Sequence, residues 1–276
     1  MSKRAFDEKI ETLDALRASP PSDVAAFALA ITKELTNRNN FVASKAAALA
    51  GDFQHRALIP DLLAAFDRFM QDPAKTDPQC WAKNAIVKAL KDLSHTDAAV
   101  YLRGIHHIQM EPVWGGQADS ATTLRSTCVL ALLDCRIDDL TMLTCLAEAL
   151  ADPEKPVRID AARALSGAGI PEAAALLRLK ALSGDRDSEV IGQCLASLLL
   201  LQPDAVPFAA RFFDSREPEL QVEAVAALAQ AGNPAALPAL KEFWKRRLLP
   251  EVRQAAHTIL SAGRYKEEFP PLSKQG

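Results

Sequence analysis

Asp152-Pro153-Glu154-Lys155-Pro156-Val157-Arg158-Ile159-Asp160-Ala161-Ala162-Arg163-Ala164-Leu165 sets a pattern that the rest of the chain repeats. An aspartate in a turn precedes a helix that opens with Val-Arg, and small residues stand where a second helix must come close. Imperfect copies can be followed by their closing leucine, at Leu49, Leu90, Leu132, Leu165, Leu198, Leu228 and Leu260, with spacings of 41, 42, 33, 33, 30 and 32 residues. Periods of this length mark stacked helix pairs. The late units have the length of a plain pair, and the early ones carry extra residues in longer loops.

Small or apolar residues fall three and four places before each leucine: Ala46, Ile86 and Val87, Cys128 and Val129, Ala161 and Ala162, Cys194 and Leu195, Ala224 and Val225, and Ala256. Eight places before it stand Phe41, Leu124, Val157, Val190, Leu220 and Val252, with Ala82 the weaker member. Positions −8, −4 and 0 stack on one face of an α-helix, so each copy should bury this stripe against its neighbours. The partner helices are expected near residues 56–70, 97–109, 139–151, 171–182, 204–213 and 234–247.

A first helix over residues 3–18 places Phe6, Ile10, Leu13 and Leu16 on one face and stands outside the repeat register, which reads as a cap over an open end. Ser19-Pro20-Pro21 ends it, Ser22-Asp23 supplies the next N-cap, and the second helix runs to Leu35. From Gly263, with Pro270-Pro271, the chain is expected to be a loose tail. The fold expected is a single all-α domain over residues 1–276, a right-handed α-solenoid of about seven helix pairs. Within it, residues 1–20 form the capping helix, 21–263 the repeats and 264–276 the tail.

This arrangement resembles the HEAT-repeat family, and within it the short HEAT-like repeats first named from phycobilisome lyases, over roughly residues 21–263. The resemblance implies a ladder in which a turn aspartate meets a basic residue six positions later. Asp77/Lys83, Asp119/Arg125 and Asp152/Arg158 hold that spacing, which then decays to Asp185/Ile191, Ser215/Gln221 and Arg247/Arg253. Arg125 and Arg158 therefore read as braces between turn and helix.

Composition narrows the function. The net charge is −3, and residues 111–200 hold eight Lys/Arg against thirteen Asp/Glu, so no continuous basic groove for a polyanion is expected. The five cysteines are scattered without a C-x-x-C, no apolar run reaches membrane-spanning length, and the amino terminus runs straight into charge; a cytoplasmic protein with free thiols is expected. No cofactor or metal is expected: His106 and His107 are adjacent and would point about 100° apart on a helix, and no His-x-x-x-His is present. The His-Glu dipeptides that carry iron in the HEAT-repeat deoxyhypusine hydroxylases are absent. A phycobilin-lyase-like enzyme, which the resemblance allows, needs a pocket of placed polar groups that the sequence does not assemble.

If the stripe is buried, positions −6, −5 and −2 from each leucine face outward. In the middle units they include Lys88, Ser126, Leu130, Ile159 and Arg163, a small-sided and nearly neutral ridge suited to a protein segment. Trp114, in the irregular stretch Met110–Asp119, either anchors the rim of that ridge or tucks under its own loop. The reading is a non-catalytic scaffold that binds another protein, itself a monomer or weak homodimer. Nucleic-acid binding is the runner-up through Lys241, Lys245, Arg246 and Arg247, the compact basic patch beside Trp244.

Overall fold

The computed structural model describes residues 2–21 and 23–269. Its contacts gather into two compact units, Met1–Asp138 and Asp139–Gly276. The first contains α1 (Lys3–Ala18), α2 (Val24–Leu35), α3 (Asn40–Asp52), α4 (Ile59–Phe69), α5 (Pro73–Thr76), α6 (Trp81–Asp92), α7 (Ala98–Ile105), β1 (Met110–Val113), β2 (Gly116–Asp119) and α8 (Thr122–Ala131). The second contains α9 (Asp139–Ala149), α10 (Lys155–Gly167), α11 (Ala173–Ser183), α12 (Ser188–Leu201), α13 (Val206–Ala210), α14 (Pro218–Gln230), α15 (Ala236–Lys245) and α16 (Pro250–Ala262). The fold is all-α, built from repeated helix pairs.

In both units the helices that hold or run into the closing leucines pack side by side: α3 on α6 and α6 on α8 in the first, α10 on α12, α12 on α14 and α14 on α16 in the second. Their partners α2, α4 and α7, and α9, α11, α13 and α15, lie behind them. All seven leucines are buried, as are the small and apolar residues three and four places before them, whereas Lys45 and His257, which hold the remaining two such places, are half-exposed. Of the residues eight before, Phe41 and Leu220 remain half-exposed. Leu13 is the buried anchor of α1, which packs on α3 as a cap should.

Local chemistry sets the helix starts. The Asp23, Asn39 and Asp97 side chains accept the backbone N–H of Ala25, Val42 and Ala99, filling donors that the first helical turn leaves open. Gly104 sits where α7 meets α8, and an added Cβ there would overlap Cys128 Sγ.

Three departures from expectation have identifiable causes. Met110–Asp119 is a two-stranded antiparallel hairpin, closed between Val113 and Gly116 by the turn Trp114-Gly115, where Gly115 takes φ +88°. The helix expected over 204–213 is instead a 3₁₀ turn, the short α13 and a second 3₁₀ turn, with Pro203 and Pro207 each removing a backbone donor. Residues 263–269 of the expected loose tail are packed: Tyr265 and Phe269 are buried, and Tyr265 Oη donates to the Asn233 carbonyl at 3.0 Å. Pro270-Pro271 and Ser22 lie outside the described residues.

Candidate functional site

The ladder spacing has a direct explanation in the first unit. Between Asp77 and α6 stands a 3₁₀ turn, Pro78–Cys80, so the carboxylate caps the helix from a distance and accepts the N–H of both Ala82 and Lys83 at 2.9 Å. Lys83 Nζ then pairs with the same carboxylate at 3.0 Å, both side chains fully buried. Asn40 Nδ2 donates to Asp77 at 2.9 Å from the preceding repeat. A buried ion pair survives only when further hydrogen bonds compensate its lost hydration, and here they do.

The next rung repeats the logic. Asp119 accepts from Gln109 N, Ala121 N and Arg125 Nη1 at 3.0, 2.9 and 2.5 Å, and Arg125 also donates to the His107 carbonyl at 3.0 Å. Burial opposes ionisation of Asp119, but the bonds from Ala121, Gln109 and Arg125 outweigh it and hold its carboxyl below the usual range. Burial pushes the neighbouring His107 down, with Nε2 placed 3.1 Å from Gln109 Oε1.

The third rung is shifted. Arg158 donates to the carbonyls of Asp152 and Pro153 at 2.8 and 2.9 Å, and turns its remaining N–H groups to Asp185, at 2.9 Å twice, and to Asp187 at 2.7 Å. Asp185, without a basic residue six positions on, thus receives the arginine of the repeat before it. In the later units the same slot keeps bonding to the turn backbone: Gln221 donates to the Ser215 carbonyl at 2.7 Å and Arg253 to the Arg246 carbonyl at 2.9 Å.

The hairpin is pinned by Glu111, whose carboxylate accepts from Gln79 N, Gln109 Nε2 and Ser120 Oγ at 2.8, 2.5 and 2.7 Å. The pinned segment includes Gln79 and Cys80, both in the left-handed region, immediately before Trp81. At the other end of the hairpin Trp114 is fully exposed, so it does not tuck under its loop.

A groove of about 500 Å³ opens in the first unit across α1, α3, α6 and α8. Phe41 and Trp81 form its aromatic wall, edge to face with ring centres 5.2 Å apart. Ser44, Ala48, Ala85 and Thr127 leave the floor shallow, while Asp14, Arg17, Lys45 and Lys88 stand among its lining residues. Each cation has an acid partner: Arg17 with Asp52 at 2.7 Å, Lys45 with Asp14 at 2.6 Å, Lys88 with Asp92 at 2.5 Å. Asn84, also lining the groove, has a buried Oδ1 with no hydrogen-bond partner.

Of the ridge expected from the sequence, Lys88 lies in this groove and is exposed. Ser126 does not face outward: it is buried with its Oγ unpartnered, and Leu130 is half-buried outside the groove. Position −6 lies on the flank between neighbouring inner helices rather than on their free face, which also buries Ala43 and Gly192. Contact across that flank is explicit in the second unit, where an added Cβ on Gly192 of α12 would overlap Glu223 of α14.

Ile159 and Arg163 belong to the second unit and line a smaller, polar depression with Gln193 and Glu223. Arg163 is held by Asp160 at 3.0 Å and Gln193 at 3.1 Å. Burial, then the charge of Glu189, pushes the Glu223 carboxyl up. The carboxy-terminal basic patch is largely answered by its own acids: Lys241 by Glu268, Lys245 by Glu242 and Arg246 by Asp214, at 2.5, 2.7 and 2.7 Å. Trp244 is covered by Phe269 and His257, with Arg253 over its ring.

Sequence reasoning missed Phe41 and Trp81. Phe41 occupies a stripe position and so resembled core, and Trp81 is the first residue of α6, beside the stripe residue Ala82.

Residues 177–261 match the family model of HEAT repeats. Among solved structures it is similar to human deoxyhypusine hydroxylase in complex with glycerol, at 20% identity over 95% of this chain and 91% of that one, with a TM-score of 0.36. It is also similar to an engineered protein, at 17% identity over 85% of this chain and 95% of that one, with a TM-score of 0.31. No curated protein matches the chain. No helix among the described residues is long and apolar enough to cross a membrane.

Proposed function

We propose that this protein is a non-catalytic adaptor that binds a segment of another protein in the groove of its first unit. The observation that carries this reading is the aromatic pair Phe41–Trp81, half-buried and 44% exposed respectively, standing over small side chains. Folding alone gives no reason to leave an indole at the surface beside a cavity, whereas interfaces commonly place aromatic anchors in such a setting. HEAT repeats present rows of helices of this kind, and small floor residues let a partner backbone approach closely.

The test compares binding of a co-purified partner by the parent, Trp81→Ala and Lys88→Glu, with circular dichroism as the folding control. Binding through the groove predicts about tenfold or greater weakening for Trp81→Ala and a smaller loss for Lys88→Glu, both folded. Parental affinity in both variants would place the interface elsewhere.

A further inference from the structure

We infer that the segment bound in this groove is an acidic amphipathic helix, a conclusion that rests on the proposed function and specifies its partner. The first observation is charge. The chain as a whole is net negative at −3, yet the groove lining contains Arg17, Lys45 and Lys88 against the single carboxylate of Asp14. Two of the acids that answer these cations, Asp52 and Asp92, lie outside the lining.

The second observation is how weakly the cations are committed. The Arg17, Lys45 and Lys88 side chains are 55, 32 and 67% exposed, and their partners Asp52, Asp14 and Asp92 are 49, 56 and 34% exposed. Pairs this open contribute little to stability, so carboxylates of an incoming segment can replace the internal ones at small cost. The contrast with Lys83–Asp77, fully buried and locked by further bonds, separates the exchangeable cations of the groove from the structural ones of the ladder.

The third observation is the apolar wall between those charges. Phe41 and Trp81 offer rings to leucine or aromatic side chains, and the floor residues Ser44, Ala48 and Ala85 are too small to hold a helix away. A partner therefore needs an apolar stripe for the wall and acids beside it for Arg17, Lys45 and Lys88, which is the pattern of an acidic amphipathic helix. A nucleic acid would present phosphates without an apolar stripe for the Phe41–Trp81 wall.

The test uses three fluorescein-labelled synthetic peptides of one helical design with leucine and tryptophan on the apolar face, differing only in whether the polar face carries Glu, Gln or Lys. Oligothymidylate serves as a polyanion without an apolar stripe. At low ionic strength the Glu peptide should bind at least about tenfold more tightly than the Gln peptide, with the Lys peptide weakest and the gap closing as salt rises. The double charge reversal Lys45→Glu with Lys88→Glu should invert the order of the Glu and Lys peptides, and Trp81→Ala should weaken the Glu and Gln peptides alike.

Equal binding of Glu and Gln peptides, both weakened by Trp81→Ala, would overturn the acidic specificity while leaving the groove as a protein site. Peptide binding indifferent to Trp81→Ala would remove the groove reading and this inference together. Oligothymidylate binding as tightly as the Glu peptide would overturn the inference in favour of polyanion recognition.

Discussion

Arg158 reaches out of its own repeat to grip Asp185, through Nε and Nη2 at 2.9 Å each, with both side chains almost entirely buried. Two parallel bonds from a planar guanidinium make a stiff joint, and Lys180 Nζ adds a third cation contact to Asp185 at 2.7 Å. Successive turns of the second unit are thereby tied by charge as well as by the leucine stripe.

Asp185→Ala leaves the Arg158 charge buried with two of its five hydrogen bonds gone. The expected cost is about 3–5 kcal/mol, the range for breaking one side of a buried pair, measured by denaturant unfolding. A loss below about 1 kcal/mol would show the joint to be ornamental.

The same joint predicts a pH dependence. Burial opposes ionisation of Asp185, but the bonds from Arg158, Lys180 and Asp187 N prevail and lower its pKa to about 2. An unfolded aspartate titrates near ~3.9. The folded value is the lower one, so the stabilisation is present above about pH 4 and is lost as pH falls toward about 2. Asp185→Asn should flatten the stability profile in that window, and an unchanged profile would contradict the assignment.

Ala161 is fully buried between the helices, as its place four before Leu165 requires. Ala161→Asp should destabilise by about 3–5 kcal/mol because an unpaired charge is forced into the core. Melting like the parent would mean the register of α10 is misread.

Gly104→Ala tests the contact of α7 with α8 at Cys128. Ala normally favours a helix over Gly by about 1 kcal/mol, so the sign is informative. Overlap of the new methyl with Cys128 Sγ should instead cost about 1–3 kcal/mol, and Cys128→Ala in the same chain should recover part of it. Additive losses in the double variant would rule out this contact.

The closing leucines were legible because a buried stripe repeats once per unit and each helix carries its own copy. What a single helix cannot reveal is its flank. Ser126 and Gly192 read as outward-facing on a lone wheel, yet the neighbouring inner helix covers that side, as Glu223 does over Gly192. Phe41 reads as core because its counterparts Val157 and Val190 are core. At the start of the array only α1 stands before it, with Phe6 at 5.9 Å, and the ring stays half-exposed beside Trp81. The hairpin escaped notice because its strands span four residues each and its order rests on Glu111 bonding to groups from Gln79 to Ser120.

The central claim is that the groove of the first unit holds a partner protein, and site-specific photo-crosslinking from within it tests this most directly. A photoreactive side chain placed at Lys88, exposed in the groove, should give a discrete protein adduct in cells that disappears when Trp81→Ala is added; the same group at Ala99, exposed on α7 and absent from the groove lining, should not. Adducts arising only from Ala99, or adducts from Lys88 that persist unchanged with Trp81→Ala, would contradict the account.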